Sequence, residues 1–350
     1  MLHKIEKVLC ILVLMGLPLP GRVDPEMPLR QKRLSDKVLL VWAGDHLQTI
    51  ATVAVATKKG IVVIDTCLTR TVDSRIRHAI EKEFGRNDFK YLINTHYHHD
   101  HTAGNQVYAD TEIIAHKNVP RGMEKELTGK GLESLLEKFK GMLEEAEKAL
   151  KSDEPLPVSE QYIKEFVAYH KSAVRDFTHG FVPTYPTILF EKSMMLDMGD
   201  VTIEVYSFIR GHTDSDIMVY VPEEGLVALG DVSPERMLPS VRKEMEAYFA
   251  ETMEHWGKIA DGSREIKYVH MAHSDMHLSV ETFKEQYRYL RDLWEGLSDL
   301  HSQGITLEEA REKFTIEDDF PYFRDKITKT GNGSIHERNI EAMWEMLSER

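Results

Sequence analysis

Short apolar runs and alternating apolar positions fill the first third of the chain. The segments KVLLVWAG (37–44), TIATVAVAT (49–57) and GIVVIDT (60–66) read as successive strands, with Lys58, Lys59 and Gly60 as turn residues. The period then changes. Between Thr71 and Phe84 the apolar positions Val72, Ile76, Ile80 and Phe84 recur at helical spacing, and Gly85 supplies a stop. YLIN (91–94) and TEIIAH (111–116) return to the strand pattern.

From about Arg121 to Asp176 the chain is charged, contains Leu and Ala, and is helical in period over two segments separated by DEPLP (153–157). This stretch reads as a solvated helical insertion without chemistry, in preference to a partner-binding module. FTHGFVPTYP (177–186) leads back to strands. TILFEKSMMLD (187–197), VTIEVYSF (201–208), DIMVYVP (216–222) and LVALGDV (226–232) form a second run, punctuated by Gly199, Gly211, Gly225 and Gly230. Two strand clusters, each joined to helices, predict an α/β chain with two packed sheets and helices outside. Residues 276–350 are mainly helical, with apolar spacing at Phe283, Tyr287, Leu290, Leu293 and Leu297 and a turn-rich TKTGNGS (328–334) before the last helix. No repeat of fixed period is visible.

Composition adds three constraints. The 350 residues are 42% hydrophobic, enough for a substantial core. A balance of 44 basic against 58 acidic residues gives a net charge of -14, which repels a polyphosphate backbone and excludes nucleic acid as a partner. Finally, Lys4 and Lys7 precede an apolar run from Val8 to about Leu19. Residues 1–21 therefore read as a signal peptide, or as an uncleaved anchor giving the only membrane attachment, and the protein is expected to be exported to a periplasm or secreted. Cys10 lies in that run, leaving Cys67 as the only cysteine of a mature chain and no internal disulfide.

The strongest chemical signal is THYHHDHTAGN (95–105), which places His96, His98, Asp100 and His101 within six positions. Imidazole and carboxylate are the donors that zinc and similar divalent ions prefer. A solvated histidine-rich loop is the competing explanation. Against it, the cluster lies between a buried strand and a helix start, where α/β enzymes place their chemistry. A two-metal site needs further ligands, and His212, Asp231 and His273 each follow a later strand. Taken alone, each is an ordinary loop residue.

Together these residues resemble the metallo-β-lactamase superfamily, whose pattern is His-x-His-x-Asp-His, then His, then Asp, then His, on strand ends. The resemblance covers roughly residues 36–280. It implies a four-layer αββα sandwich with a helical insertion at about 121–176 and a helical C-terminal extension over 281–350. It also implies that His96, His98 and His212 hold one metal, that Asp100, His101 and His273 hold the second, and that Asp231 bridges both. The expected cofactors are two zinc ions per chain, with iron or manganese as alternatives. Asp65 matches an early strand-end Asp that supports such sites, although a plain turn Asp explains it equally well. His99 falls at a non-ligand position, and His277 follows the expected ligand. His270 is three residues before His273 and on strand alternation faces the other way. Ala272 and Ser274 depart from the family's Gly-His-Gly turn.

Two divalent ions about 3.5–4 Å apart can share a water, lower its pKa and present hydroxide to an electrophile. The implied activity is therefore a dinuclear zinc-dependent hydrolase using a metal-bridging hydroxide on an ester-like bond of a small molecule, a thioester, lactone or related group. Asp100 is its catalytic residue, orienting the nucleophile. In the resemblance, Asp at position 231 favours thioesterase, lactonase, alkylsulfatase and phosphodiesterase types. β-Lactamase-like amide hydrolysis and a mono-iron persulfide dioxygenase are the alternatives. Cys67 has no catalytic role. The segment His170–Pro186, with Tyr169, His179, Phe181 and Tyr185, is either a surface connection or a lid that would suit an apolar substrate.

Overall fold

A computed structural model describes residues 27–44, 49–152, 155–156, 158–207, 212–232, 238–243, 246–273, 280–323, 328–330 and 333–349. The expected signal, with Lys4, Lys7 and Cys10, lies outside the described residues, as do Gly211, Ser274 and His277. The chain divides into two compact units.

The first unit takes the described residues up to Phe190, with Met198–Asp200 and Ala272–His273. Its seven-stranded sheet keeps chain order: β1 (Leu29–Arg33), β2 (Val38–Ala43), β3 (Thr52–Thr57), β4 (Gly60–Ile64), β5 (Phe89–Ile93), β6 (Glu112–His116) and β7 (Ile188–Phe190). β1 to β4 are antiparallel, and β4 to β7 are parallel. The apolar runs form the expected strands because β2, β3 and β4 are buried at nearly every position. β1 departs from expectation. LRQKR has no apolar pattern, and it is a strand because it completes the hydrogen bonds along the edge of β2, from Leu29 opposite Ala43 to Arg33 opposite Leu39.

Helix α1 (Arg70–Phe84) starts one residue before the predicted Thr71. The Thr69 hydroxyl accepts from Val72 N–H, and Gly85 ends the helix at φ 65. Its buried face is Val72, Asp73, Ile76 and Ile80. Two other expectations need correction. TILFEKSMMLD is not one strand of the second sheet, since Ile188–Phe190 pairs with β6 and closes the first. The 121–176 stretch is three helices: after the short α2 (His99–Thr102) come α3 (Val119–Leu127), α4 (Gly129–Ala149) and α5 (Glu160–Thr178). Extended Thr128 and left-handed Gly129 (φ 48) break what reads in sequence as one segment. Nor is it a solvated appendage. Phe139, Tyr162, Ile163, Phe166, Tyr169 and Phe177 are buried, so these helices own part of the unit's core.

The second unit takes Glu191–Asp197, Val201–Met271 and the described residues from Val280 on. Its sheet runs β12–β11–β10–β9–β8, from β8 (Ser193–Asp197), β9 (Thr202–Ser207), β10 (Ile217–Val221), β11 (Leu226–Ala228) and β12 (Tyr268–His270). Only the β11–β12 pair is parallel among these, and the chain between them contains α6 (Glu246–Ala260), which the sequence pattern did not single out. In α7 (Val280–Ser302), Phe283, Leu290, Leu293 and Leu297 are buried, with Tyr287 packed beside them. After α8 (Leu307–Lys313) and α9 (Ile316–Asp319), Lys329–Thr330 pairs antiparallel with Gly333–Ser334 just before α10 (Ile335–Ser348). Asn339 anchors α10: it accepts from Val241 N–H (2.8 Å) and donates to Pro239 O (2.8 Å) and the Tyr289 hydroxyl (3.0 Å). Among the described residues no helix is long and apolar enough to cross a membrane.

Candidate metal centre

Parallel pairing of β4 and β5 sets the first half of the site. Ile64 lies opposite Ile93, so Asp65 and Thr95 leave the same sheet edge next to each other. Asp65 is the only described non-glycine residue with positive φ (57), a conformation of the kind that costs about 1–3 kcal/mol and collects at functional sites. Its carboxylate accepts Thr95 N–H (2.7 Å), the Thr95 hydroxyl (2.6 Å) and His101 Nδ1–H (2.9 Å).

These bonds fix proton positions. A carboxylate only accepts, so His101 carries its proton on Nδ1 and presents the Nε2 lone pair. Thr95 uses its single hydroxyl proton on Asp65, so across the 3.1 Å contact between Thr95 Oγ1 and His96 Nδ1 the imidazole donates. His96 therefore also presents Nε2, which stands 3.1 Å from Nδ1 of His98. Two imidazole nitrogens on one tetrahedral zinc, each at about 2.0–2.1 Å, stand roughly 3.3–3.4 Å apart. The pair is close to that spacing before any ion is considered.

The turn itself is pinned from below. Thr66 N–H (3.2 Å), the Thr66 hydroxyl (2.9 Å) and Asn94 Nδ2–H (3.1 Å) all point at the His101 carbonyl. Asn94 and Asn105 exchange side-chain bonds of 2.9 Å in both directions. A Cβ on Gly104 would lie 2.2 Å from the Asp73 carboxyl, which explains the small residue two places after Thr102.

Asp100, His101 and His273 offer ligand atoms that all lie within 4.8 Å of one another, with Asp100 Oδ2 3.3 Å from His273 Nε2. Backbone bridging to Ile50 holds His273 there. Burial works against the charge on Asp100, but His99, His101 and His273 outweigh it and hold the carboxyl well below its usual range. An anionic oxygen beside imidazole lone pairs is a donor set that fits a divalent cation of the zinc type.

In the second unit, His212 Nε2 lies 3.5 Å from Asp231 Oδ2. Asp231 follows β11 by three residues, and His212 precedes β10. Buried Asp216 orders that loop by accepting His212 N–H (2.7 Å), Thr213 N–H (2.7 Å) and the Thr213 hydroxyl (2.6 Å). Burial raises its carboxyl to about 6, against the pull of His212 and these bonds. His270 is buried in β12 of this unit, whereas His273 belongs to the first.

Several supporting residues have no sequence signal beyond their neighbours: Thr95, Asn94, Asn105, Asp216 and Glu126. Glu126 Oε2 accepts both the N–H (3.0 Å) and Nδ1–H (3.2 Å) of His99. Burial would raise this carboxyl, but the contacts with His99 and the charge of His98 lower it. The His170–Pro186 segment is tied within the first unit. Tyr169 and His170 are core residues of α5, Phe181 packs on Phe177 (4.6 Å), Thr184 O accepts from Asn105 (3.0 Å) and the Tyr185 hydroxyl donates to Glu124. Burial raises the Cys67 thiol well above its usual range, and the thiol donates to Ile50 O (3.2 Å), so it is no nucleophile.

Residues 47–293 match the family model of the metallo-beta-lactamase superfamily. The chain belongs to that superfamily. It has an α/β fold built on two main sheets, and its described residues include candidate metal-binding His/Asp groups. Solved structures share the fold. The stereoselective inverting sec-alkylsulfatase Pisa1 from Pseudomonas sp. aligns at 16% identity and TM-score 0.54 over 90% of this chain and 49% of its own. A double mutant of the same sulfatase aligns at TM-score 0.53 and 16% identity over 91% of this chain and 50% of its own. This chain thus spans about half the length of those sulfatase structures. A metallo-beta-lactamase family protein from Thermus thermophilus aligns at 16% identity and TM-score 0.50 over 91% of this chain and 95% of its own. No curated protein sequence matches the chain.

Proposed function

We propose that this superfamily member is a two-zinc hydrolase of an ester-like bond in a small molecule, a thioester, a lactone or a sulfate ester. In this reading His96, His98 and His212 hold one zinc, Asp100, His101 and His273 hold the other, and Asp231 bridges them. The observation that carries it is the Asp65–Thr95 hydrogen-bond chain, which sets His96 and His101 to present Nε2. When bound, zinc supplies a water acidic enough to attack near neutral pH. The protein's own share is orientation. Asp65 and Thr95 keep the imidazoles in the coordinating tautomer, while anionic Asp100 accepts a hydrogen bond from the attacking water and aligns it with the substrate.

Two features support the bond class. Asp stands at position 231, where the resemblance associates β-lactamases with other residues, and the fold is shared with a sec-alkylsulfatase. The test is a panel of chromogenic thioesters, lactones, sulfate esters, phosphodiesters and β-lactams, run with zinc-loaded and chelator-stripped protein. Zinc-dependent turnover of a thioester, lactone or sulfate ester is expected. Turnover confined to β-lactams, or iron in the purified protein with sulfide-dependent oxygen uptake, would overturn the proposal.

A further inference from the structure

We infer that Glu126, a residue of the helical insertion, positions the metal centre by fixing His98 with its proton on Nε2 and Nδ1 presented to the ion. The inference rests on the two-zinc reading and concerns a residue outside the expected ligand set.

Three observations within the first unit carry it. Helix α3 lies flush on the metal turn, since a Cβ on Gly122 would be 2.1 Å from the Tyr97 ring, leaving room for glycine alone beside the residue preceding His98. Glu126 comes four residues after Gly122 and shares its helix face, so the face pressed on the turn is the one that carries the carboxylate. That carboxylate straddles the turn: Oε2 takes the N–H (3.0 Å) and Nδ1–H (3.2 Å) of His99, and Oε1 stands 3.9 Å from His98 Nε2.

On the opposite side of the same ring, His98 Nδ1 faces His96 Nε2 at 3.1 Å. A negative oxygen at one end of an imidazole favours the proton there, leaving the lone pair at the other end. Glu126 thus acts on His98 through its charge at 3.9 Å, where Asp65 acts on His101 through a 2.9 Å hydrogen bond, and the insertion supplies a support that the sheet supplies elsewhere. His99, a non-ligand inside a ligand motif, has a role as the clamp for Glu126.

The test uses the full chain and zinc itself. Wild type, Glu126→Gln, Glu126→Asp and Glu124→Gln are titrated with zinc against a chromogenic chelator. Cobalt(II) visible spectra and the melting temperature of the metal-free form accompany each titration. Glu126→Gln should weaken one of the two zinc ions roughly 10–100-fold, alter the cobalt spectrum and leave the metal-free melting temperature unchanged. Glu126→Asp, which keeps the charge, should recover part of the loss, and Glu124→Gln, which removes the same charge from the same helix, should behave as wild type. Wild-type affinity for both ions in Glu126→Gln, or a loss that merely tracks a lower metal-free melting temperature, would overturn the inference. A wild type that takes up fewer than two zinc ions overturns the two-zinc reading instead.

Discussion

Replacing Asp65 with Asn tests whether the hydrogen-bond chain behind the histidines sets metal affinity. Asn tolerates the left-handed backbone at φ 57, so the substitution changes charge and hydrogen bonding with little added strain. Three donors converge on Asp65: Thr95 N–H on Oδ1, and the Thr95 hydroxyl and His101 Nδ1–H on Oδ2. An amide cannot satisfy all three. With its oxygen at the Oδ2 place, the NH2 opposes Thr95 N–H. In the other orientation, it opposes His101 and drives the imidazole proton onto Nε2, the nitrogen that should coordinate. Either way at least one charge-assisted bond is lost, worth about 1.5–3 kcal/mol, and at 1.36 kcal/mol per decade this is roughly 10–150-fold in affinity. Competitive zinc titration of the variant reads it directly, with the metal-free melting temperature as a control. Wild-type affinity for both ions in a folded Asp65→Asn protein would refute the reasoning.

Two further outcomes follow from buried polar groups. Asp73 is fully buried, and burial pushes its carboxyl up from 3.8 to about 8, with Cys67 N–H opposing and Asp176 adding to the rise. Because the folded pKa exceeds the unfolded one, this group's contribution is fully present below about 4 and is lost as pH rises towards about 8. Asp73→Asn should therefore be more stable than wild type at pH 8, on the order of a few kcal/mol, and nearly equal at pH 4. Parallel stability–pH profiles from denaturant titration would count against it. Asn339→Ala leaves Val241 N–H and Pro239 O buried without their partner, at about 1–3 kcal/mol each. Denaturant unfolding of the second unit should shift to lower concentration by that amount, and an unshifted midpoint would show that water replaces the side chain.

The parts of the fold visible in the sequence are those where burial repeats with a fixed period. β2 to β4 and α1 read correctly because both faces of the strands, or one stripe of the helix, meet the core. β1 was hidden because its identity lies in edge pairing rather than in its own residues, and the division of TILFEKSMMLD because both halves are equally apolar while only the pairing of Ile188–Phe190 with β6 separates them. The candidate metal turn stands out in the sequence because ligand chemistry restricts residue type and the turn restricts spacing. Its supports do not. Thr95, Asn105, Asp216 and Glu126 are common polar residues whose meaning comes from what the backbone sets opposite them: the His96 ring, Asn94, the His212 N–H and His99. Asp65 was half legible, as a strand-end Asp, and its three converging donors distinguish it from a plain turn residue.

The central claim is a two-zinc centre bridged by Asp231. Its most direct test is the metal content of the purified full-length protein and of Asp231→Ala by inductively coupled plasma mass spectrometry, with ester hydrolysis measured on the same samples. The account predicts two zinc ions per wild-type chain, with Asp231→Ala losing at least one of them and its turnover. A wild type holding a single iron, or an Asp231→Ala protein that keeps two zinc ions and full activity, would contradict it.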